Sequence, residues 1–282
     1  MSSMFSIGLG ISFKKIVDIF RDPELLTKSL LINLILIPAI AVMLALLLGI
    51  KGSLFLGFMM MACAPGASYA PRITEIANGD VEHSIILMFV LCSFALFSAP
   101  LTLPLFISSP AIVNLWDVIR ILAIVQVFPL ISGIYLNSQK PKISRRISHI
   151  VFKFSNISAF IAIMASLVII FFSEAGMMLY SVITDLKSII GMILVVFFSL
   201  LLGYMSGGDN IGRKKSMATG SANRNAGVAF LIASSSFVLL PDVIIIIIAY
   251  IIIQTLMSGS LAGYWLWKDM KSGKSTILSV NR

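Results

Sequence analysis

Eight apolar stretches divide this chain, at about 29–50, 53–68, 83–107, 118–137, 154–173, 188–206, 216–237 and 243–267. A helix needs about 20 apolar residues to cross a bilayer, and only helices or closed barrels satisfy every backbone polar group there. Most of the stretches have that length, so the predicted fold class is an all-α integral membrane protein. A shorter apolar piece, 4–13, precedes them. Ten residues span about half of a hydrocarbon core. Either the piece is a half-helix, or the chain as given starts inside a longer protein, and the second reading is the one expected here.

Composition agrees. The chain is 59% hydrophobic and 12% charged, with a mean hydropathy of +1.03, and soluble domains carry about twice that charged fraction. The net charge of +9 does not indicate a nucleic-acid partner, because the basic residues lie in short runs between apolar stretches, as topogenic charges do. Cys63 and Cys92 fit neither a disulfide framework nor a metal spacing. His83 and His149 are isolated and read as helix-end residues. No metal or cofactor is expected. An intramembrane enzyme would need paired Asp or a Ser–His arrangement, and neither is visible.

The loop charges assign an orientation. Lys14, Lys15, Arg21 and Lys28, then Lys140, Lys142, Arg145, Arg146 and Lys153, then Arg213, Lys214 and Lys215, then Lys268, Lys271, Lys274 and Arg282 all fall on one side of eight crossings, joined by Arg72. Lys51, Arg120 and Lys187 fall on the other. The positive-inside rule puts the clusters and the C-terminus in the cytoplasm of a multi-pass cell-membrane protein, the inner membrane in a Gram-negative cell.

Two segments make poor membrane helices. Met59–Ile73 is interrupted by Pro65-Gly66 and again by Pro71, and Ala218–Val228 is polar in mid-span. Proline removes a donor and glycine loosens the helix, so both segments are predicted to unwind near their centres. Leu46-Leu-Leu-Gly-Ile50 precedes Gly66-Ala-Ser68 as Leu200-Leu-Leu-Gly-Tyr204 precedes Gly220-Ser-Ala222, so an offset of 154 superposes both landmarks. The two segments run in opposite directions through the membrane. Paired interrupted helices of opposite direction point to an inverted-repeat secondary transporter with its site where they cross.

Arg224 is the most informative residue. A charge in mid-membrane costs at least about 2.5–3.5 kcal/mol on insertion scales, so it needs a polar cavity or a partner. Either it holds an anionic substrate group, helped by unwound N–H groups, or it is buried against carbonyl oxygens such as those freed around Pro65 or Pro71. Asn223 and Asn225 flank it. Ser68 could offer a hydroxyl to substrate or bond back to its own helix. Asn33 could reach the crossing or staple two helices. Gln254 and Thr255, a polar pair in an apolar run, are expected to face the bundle. The candidate substrate-binding set is thus Arg224, Asn223, Asn225, Ser68, Gly66, Gln254 and Thr255. Arg72 reads as a topogenic or snorkelling residue. Asn78-Gly79-Asp80 reads as a helix C-terminal cap followed by an N-cap, with Pro241-Asp242 in a similar role. Met59–Met61 and Ser234–Ser236 read as packing residues.

Ala64-Pro-Gly-Ala-Ser68, Ile76-Ala-Asn-Gly-Asp80, Ala99-Pro-Leu-Thr-Leu-Pro104, Gln126-Val-Phe-Pro-Leu-Ile-Ser-Gly133 and Asn225-Ala-Gly-Val-Ala229, in this order, resemble the bile acid:sodium symporter family. The resemblance begins at Phe5-Ser-Ile-Gly-Leu-Gly10 and covers nearly the whole chain. It implies two inverted five-helix repeats, with a core domain around two broken crossing helices and a separate panel domain. Residues 1–107 would form the first repeat without its first helix, 118–268 the second, and 269–282 a cytoplasmic tail. The family's sodium ligands carry over badly. A serine-asparagine pair falls on Ala70 and Pro71. Ser84 keeps a hydroxyl, but the next ligand position is Met88. The acid shared by both ions falls on Gly220. A glutamine falls on Arg224, while its partner amide remains as Asn33. Losing the carboxylate removes most of the attraction for a hard cation. Sodium is therefore not expected, and the Arg224 guanidinium is expected to sit in the place of a sodium ion. The resulting expectation is a transporter of a small organic anion, embedded in the lipid bilayer, working by alternating access without standard two-sodium coupling. The alternative is a membrane sensor or scaffold that kept the fold and lost transport.

Overall fold

The computed structural model describes residues 2–10, 23–102, 116, 119–120, 123–144, 146–148, 150–151, 153–154, 157–158, 161, 185–236 and 241–273. Every named element among them is helical. Helix α1 spans Ser2–Gly10. Helix α2, Pro23–Leu31, passes through a π turn, Ile32–Leu36, into α3, Ile37–Leu48. Then come α4 (Gly52–Ala62), α5 (Ala70–Ile76) and α6 (Val81–Thr102). A second π turn, Ala123–Val127, leads into α7 (Phe128–Gln139), followed by α8 (Leu186–Ser206), α9 (Ile211–Ala222), α10 (Ala226–Ser236) and α11 (Pro241–Lys271). The expected stretch 154–173 lies almost wholly outside the described residues, as do the end of the Ala99–Pro104 motif, His149, Arg145 and the tail from 274.

Among the described residues, three helices are long and apolar enough to cross a membrane by length and composition: Pro23–Leu48, Leu186–Ser206 and Asp242–Lys271. Their outward residues are large and apolar, with Leu46 and Leu47 each 74% exposed. Such a surface suits lipid.

Both π turns have the same cause. Pro38 and Pro129 each stand second in the helix that follows the turn. A proline lacks the N–H that should reach the carbonyl four residues back, and its ring crowds that carbonyl, so the preceding turn widens. The first π turn carries Asn33 and buries it completely.

The core joins α3, α4, α8 and α11 around Phe58, Met59, Met60, Met61, Val195, Ile246 and Tyr250. The methionine run is packing material, as expected, and Phe58 meets Tyr250 edge-on with ring centroids 6.3 Å apart. Between helices in lipid, such close packing replaces the hydrophobic drive available in water. Small residues let backbones touch. A Cβ on Gly203 of α8 would lie 2.5 Å from the Met217 carbonyl of α9. Outside this core, α1 crosses α7 where Gly8 meets Gly133. A Cβ on Gly8 would lie 2.2 Å from the Leu130 carbonyl.

The turn Ala77–Asp80 behaves as its composition suggests. Asn78 takes a left-handed φ of 53°, and the Asp80 carboxylate caps α6 by accepting from His83 N–H at 2.9 Å. Asp80 N–H also donates to Gly212 O at 3.0 Å, tying this turn to the start of α9. Asp242 differs from the expected cap: its Oδ2 accepts from the Ser53 hydroxyl at 2.8 Å, joining α11 to α4. Lys215, counted above with the loop charges, is buried at 3% exposure. It donates to the Ala77 carbonyl and pairs with Asp269 at the end of α11.

Candidate functional site

Both interrupted segments unwind and cross at their breaks. The first runs α4, an irregular stretch over 63–69, and α5; the second runs α9, an irregular stretch over 223–225, and α10. At about 1.5 Å per residue, α4, α9 and α10 are each half a membrane long. Pro65 and Arg224 pair across the breaks as an antiparallel bridge. Ala67 N–H donates to Asn223 O at 3.3 Å, and Asn225 N–H donates to Ala64 O at 2.6 Å. Each break thus supplies backbone partners for the other, as irregular backbone at membrane depth requires.

One expectation about the breaks needs correction. Pro71 does not interrupt the chain a second time. It stands second in α5, inside the first turn, where the missing N–H has no intrahelical partner to lose.

Side chains close what the bridge leaves open. Gln254 of α11 accepts from Arg224 N–H at 2.9 Å, and its amide donates to Arg224 O at 3.2 Å and to the Tyr69 hydroxyl at 2.5 Å. Asn223 donates to Thr219 O at 2.8 Å and accepts from the Ser258 hydroxyl at 3.0 Å. Asn225 donates to Gly66 O at 3.1 Å, and its Oδ1 accepts from Val228 N–H at 3.2 Å, capping α10. Gly66 has φ +87°, and a Cβ there would lie 2.8 Å from Cys92 Sγ. Cys92 in turn donates to Gly66 O at 2.9 Å.

The Arg224 side chain is fully buried. Its Nη1 donates to the Asn33 carbonyl on the π turn at 3.3 Å. Asn33 itself donates to Ser29 O at 2.9 Å and to the Ser221 hydroxyl at 3.0 Å, so its amide does reach the crossing. The carbonyl that Arg224 finds is Asn33's, not one freed by Pro65 or Pro71. Arg224 thus touches Asn33 through its backbone carbonyl, while the amide that the resemblance names bonds to Ser29 and Ser221.

The remaining candidates separate. Ser84 accepts from the Thr74 hydroxyl at 2.9 Å, and Thr74 meets Thr219 at 2.6 Å, all three buried. A Cβ on Gly220 would lie 2.7 Å from Leu87 Cδ2, so Leu87 fills the space where a longer side chain would start. Met88 packs with Met4, Cys92 and Leu130. Gln254 is buried as expected, whereas Thr255 is exposed. Neighbours on a helix point about 100° apart, and here only Gln254 turns inward. Thr255 instead lies 3.5 Å from the Tyr69 hydroxyl. Ser68, Tyr69 and Ala226 are half-buried and Gly227 is exposed, forming with Thr255 the open rim of the crossing. Arg72 is exposed and pairs with Glu75.

Sequence reasoning missed Tyr69, Thr74, Thr219, Ser258 and Tyr250. The hydroxyls of Tyr69, Thr74 and Thr219 lie within or next to the two interrupted segments, and that neighbourhood was the signal available. Tyr250 and Ser258 carried none, because each is a single polar atom in a long apolar helix.

A family model described as the sodium bile acid symporter family matches residues 1–182. Similar curated proteins include a sodium-dependent organic anion transporter of Bos taurus, 27% identical over 214 residues, which are 72% of this chain and 52% of that protein. The Mus musculus protein of the same description is 30% identical over 143 residues, 49% of this chain and 38% of that protein. A chloroplastic probable sodium/metabolite cotransporter of Oryza sativa subsp. japonica is 27% identical over 135 residues, 48% of this chain and 32% of that protein. The chain spans about half the length of the first of these relatives and less of the others.

Proposed function

This chain belongs to the sodium bile acid symporter family, and from that membership we propose that it is a secondary transporter of a small organic anion, binding its substrate where the two broken helices cross. Its apolar helices and its family make it an integral membrane protein. The observation that carries the proposal is the antiparallel pairing of Pro65 with Arg224, which holds two half-helix ends together in mid-chain.

The substrate's anionic group meets the rim formed by Ser68, Tyr69, Thr255 and the N-terminus of α10. Half-helix N-termini carry partial positive charge. Arg224, Asn223, Asn225, Gly66 and Gln254 stand behind the rim. They set its shape through the hydrogen bonds described above. In the repeat reading, 1–107 and 118–268 are the inverted halves and 269–282 is a cytoplasmic tail. The unit around the crossing is the core, and α1 with α7 belongs to the panel against which it moves in alternating access.

The relatives named above are sodium-dependent or sodium/metabolite transporters. For this chain we propose instead that the Arg224 guanidinium occupies the place of a sodium ion. Three observations support this: Arg224 contacts Asn33, Leu87 crowds Gly220, and the Ser84 hydroxyl is engaged by Thr74. A fixed cation repels a mobile one at about 4 Å by roughly 4 kcal/mol at an effective dielectric of 20. Uniport, exchange and proton coupling then remain as coupling modes. The interrupted segments carry no carboxylate to serve as a proton carrier, which weakens the last.

Substrate uptake by proteoliposomes tests the proposal. A panel of a conjugated bile acid, a short monocarboxylate and an aryl sulfonate is expected to yield at least one anion taken up above empty vesicles. Ligand-induced thermal stabilisation with no flux for any stabilising anion would return the chain to the sensor reading.

A further inference from the structure

Among the described residues, the charge on Arg224 has no counter-ion. Its guanidinium is fully buried, Nη1 has one carbonyl partner, and Nε and Nη2 have no partner among the described residues. The segments around it, 28–40, 59–69, 218–228 and 243–262, contain no Asp or Glu. A carbonyl satisfies a donor but does not neutralise a cation, and an unpaired buried charge is strongly destabilising.

The two orphan nitrogens share one edge of the guanidinium. On that edge the Nε–H and an Nη2–H run parallel, the fork that grips an anion side-on. One further polar group faces the same way. Tyr250 stands one helical turn before Gln254, on the face of α11 that meets the Arg224 backbone, and its hydroxyl is fully buried without a partner among the described residues. The walls are closed: Asn33, Tyr250 and Arg224 are each 0% exposed. An organic anion needs an open mouth, which this place lacks, whereas a halide ion needs only donors and a volume near that of one water molecule.

We propose that the Nε/Nη2 edge of Arg224, with the Tyr250 hydroxyl, binds a chloride ion. A pocket that in the family's pattern holds a cation would here hold an anion on a fixed cation. Water would satisfy the two donors but leave the charge uncompensated. The chloride is an internal counter-ion, separate from the substrate rim at Tyr69 and Thr255, and the inference stands on Arg224's burial whether or not the chain transports.

The test is thermal unfolding of the full chain in detergent at constant ionic strength, with sodium gluconate replaced stepwise by sodium chloride or sodium bromide. The melting temperature is expected to rise saturably with either halide and to be the same for sodium and potassium salts. Arg224→Gln is expected to lose at least tenfold in halide affinity. A melting temperature indifferent to halide overturns the proposal, and so does an unchanged halide midpoint in Arg224→Gln. Should that variant not fold, crystals grown in bromide decide. An anomalous peak in hydrogen-bond contact with Nε and Nη2 supports the site, and its absence refutes it.

Discussion

Gln254 serves both backbone groups of Arg224, accepting from its N–H at 2.9 Å and donating to its carbonyl at 3.2 Å. A side-chain amide here does what a neighbouring strand would do in a sheet. It lets one residue leave the helical ladder without leaving a buried donor or acceptor unmet. Gln254→Leu would remove both partners. An unsatisfied buried backbone group costs about 1–3 kcal/mol, so the variant is expected to unfold well below the parent in a thermal scan. Gln254→Glu retains the acceptor for Arg224 N–H and should lose less.

Gly66 combines a φ of +87° with the absence of room. A Cβ would meet Cys92 Sγ at 2.8 Å and Cys92 N at 2.9 Å. Gly66→Ala is expected to destabilise by about 1–3 kcal/mol from backbone strain, with the clash in addition. Adding Cys92→Ala should not restore the melting temperature, because the second clash is with backbone. Full rescue by that pair would show that the thiol contact dominates.

Lys215 and Asp269 tie α9 to the end of α11, with the Asn78 amide donating to the same Asp269 oxygen at 3.0 Å. Lys215 is almost wholly buried. Asp269→Asn leaves that ammonium with the Ala77 carbonyl and the Trp265 ring but no counter-charge, and loss of one partner of a buried pair costs about 3 kcal/mol. Lys215→Met, which removes the buried charge itself, is expected to cost less. The two variants in one thermal series give the order, and an equal or reversed order would show that the pair adds little.

Gly8 and Gly133 allow α1 and α7 to touch. Gly8→Leu puts a side chain where the Leu130 carbonyl stands and should force the helices apart. In the two-domain reading this disturbs the panel and not the crossing. Uptake is therefore expected to fall while halide-dependent stabilisation, read on Arg224, persists.

Much of this architecture was legible because membrane helices declare themselves by length and apolarity. Pro65-Gly66 and the polar run around Arg224 located both breaks, since only unwound backbone tolerates them at such depth. What pairs with what was not legible. The bridge falls on Pro65 and Arg224 because α4 and α9 stay helical until Ala62 and Ala222, and no local pattern reports which residues then meet. Lys215 looked like a loop charge because its sign and position matched the topogenic pattern. Its burial depends on Asp269, 54 residues away, which no local pattern reports. Tyr69 and Gln254 read as separate polar residues, and their contact exists only once α11 lies against the first break.

At Arg224 a fixed guanidinium is proposed to stand where a mobile cation would be. Uptake of the anion identified in the vesicle screen, with an inward sodium gradient and with sodium replaced throughout by potassium, measures this most directly. Equal initial rates in the two conditions, both lost in Arg224→Ala, are the predicted result. A rate that climbs steeply with the sodium gradient in the parent protein would contradict it.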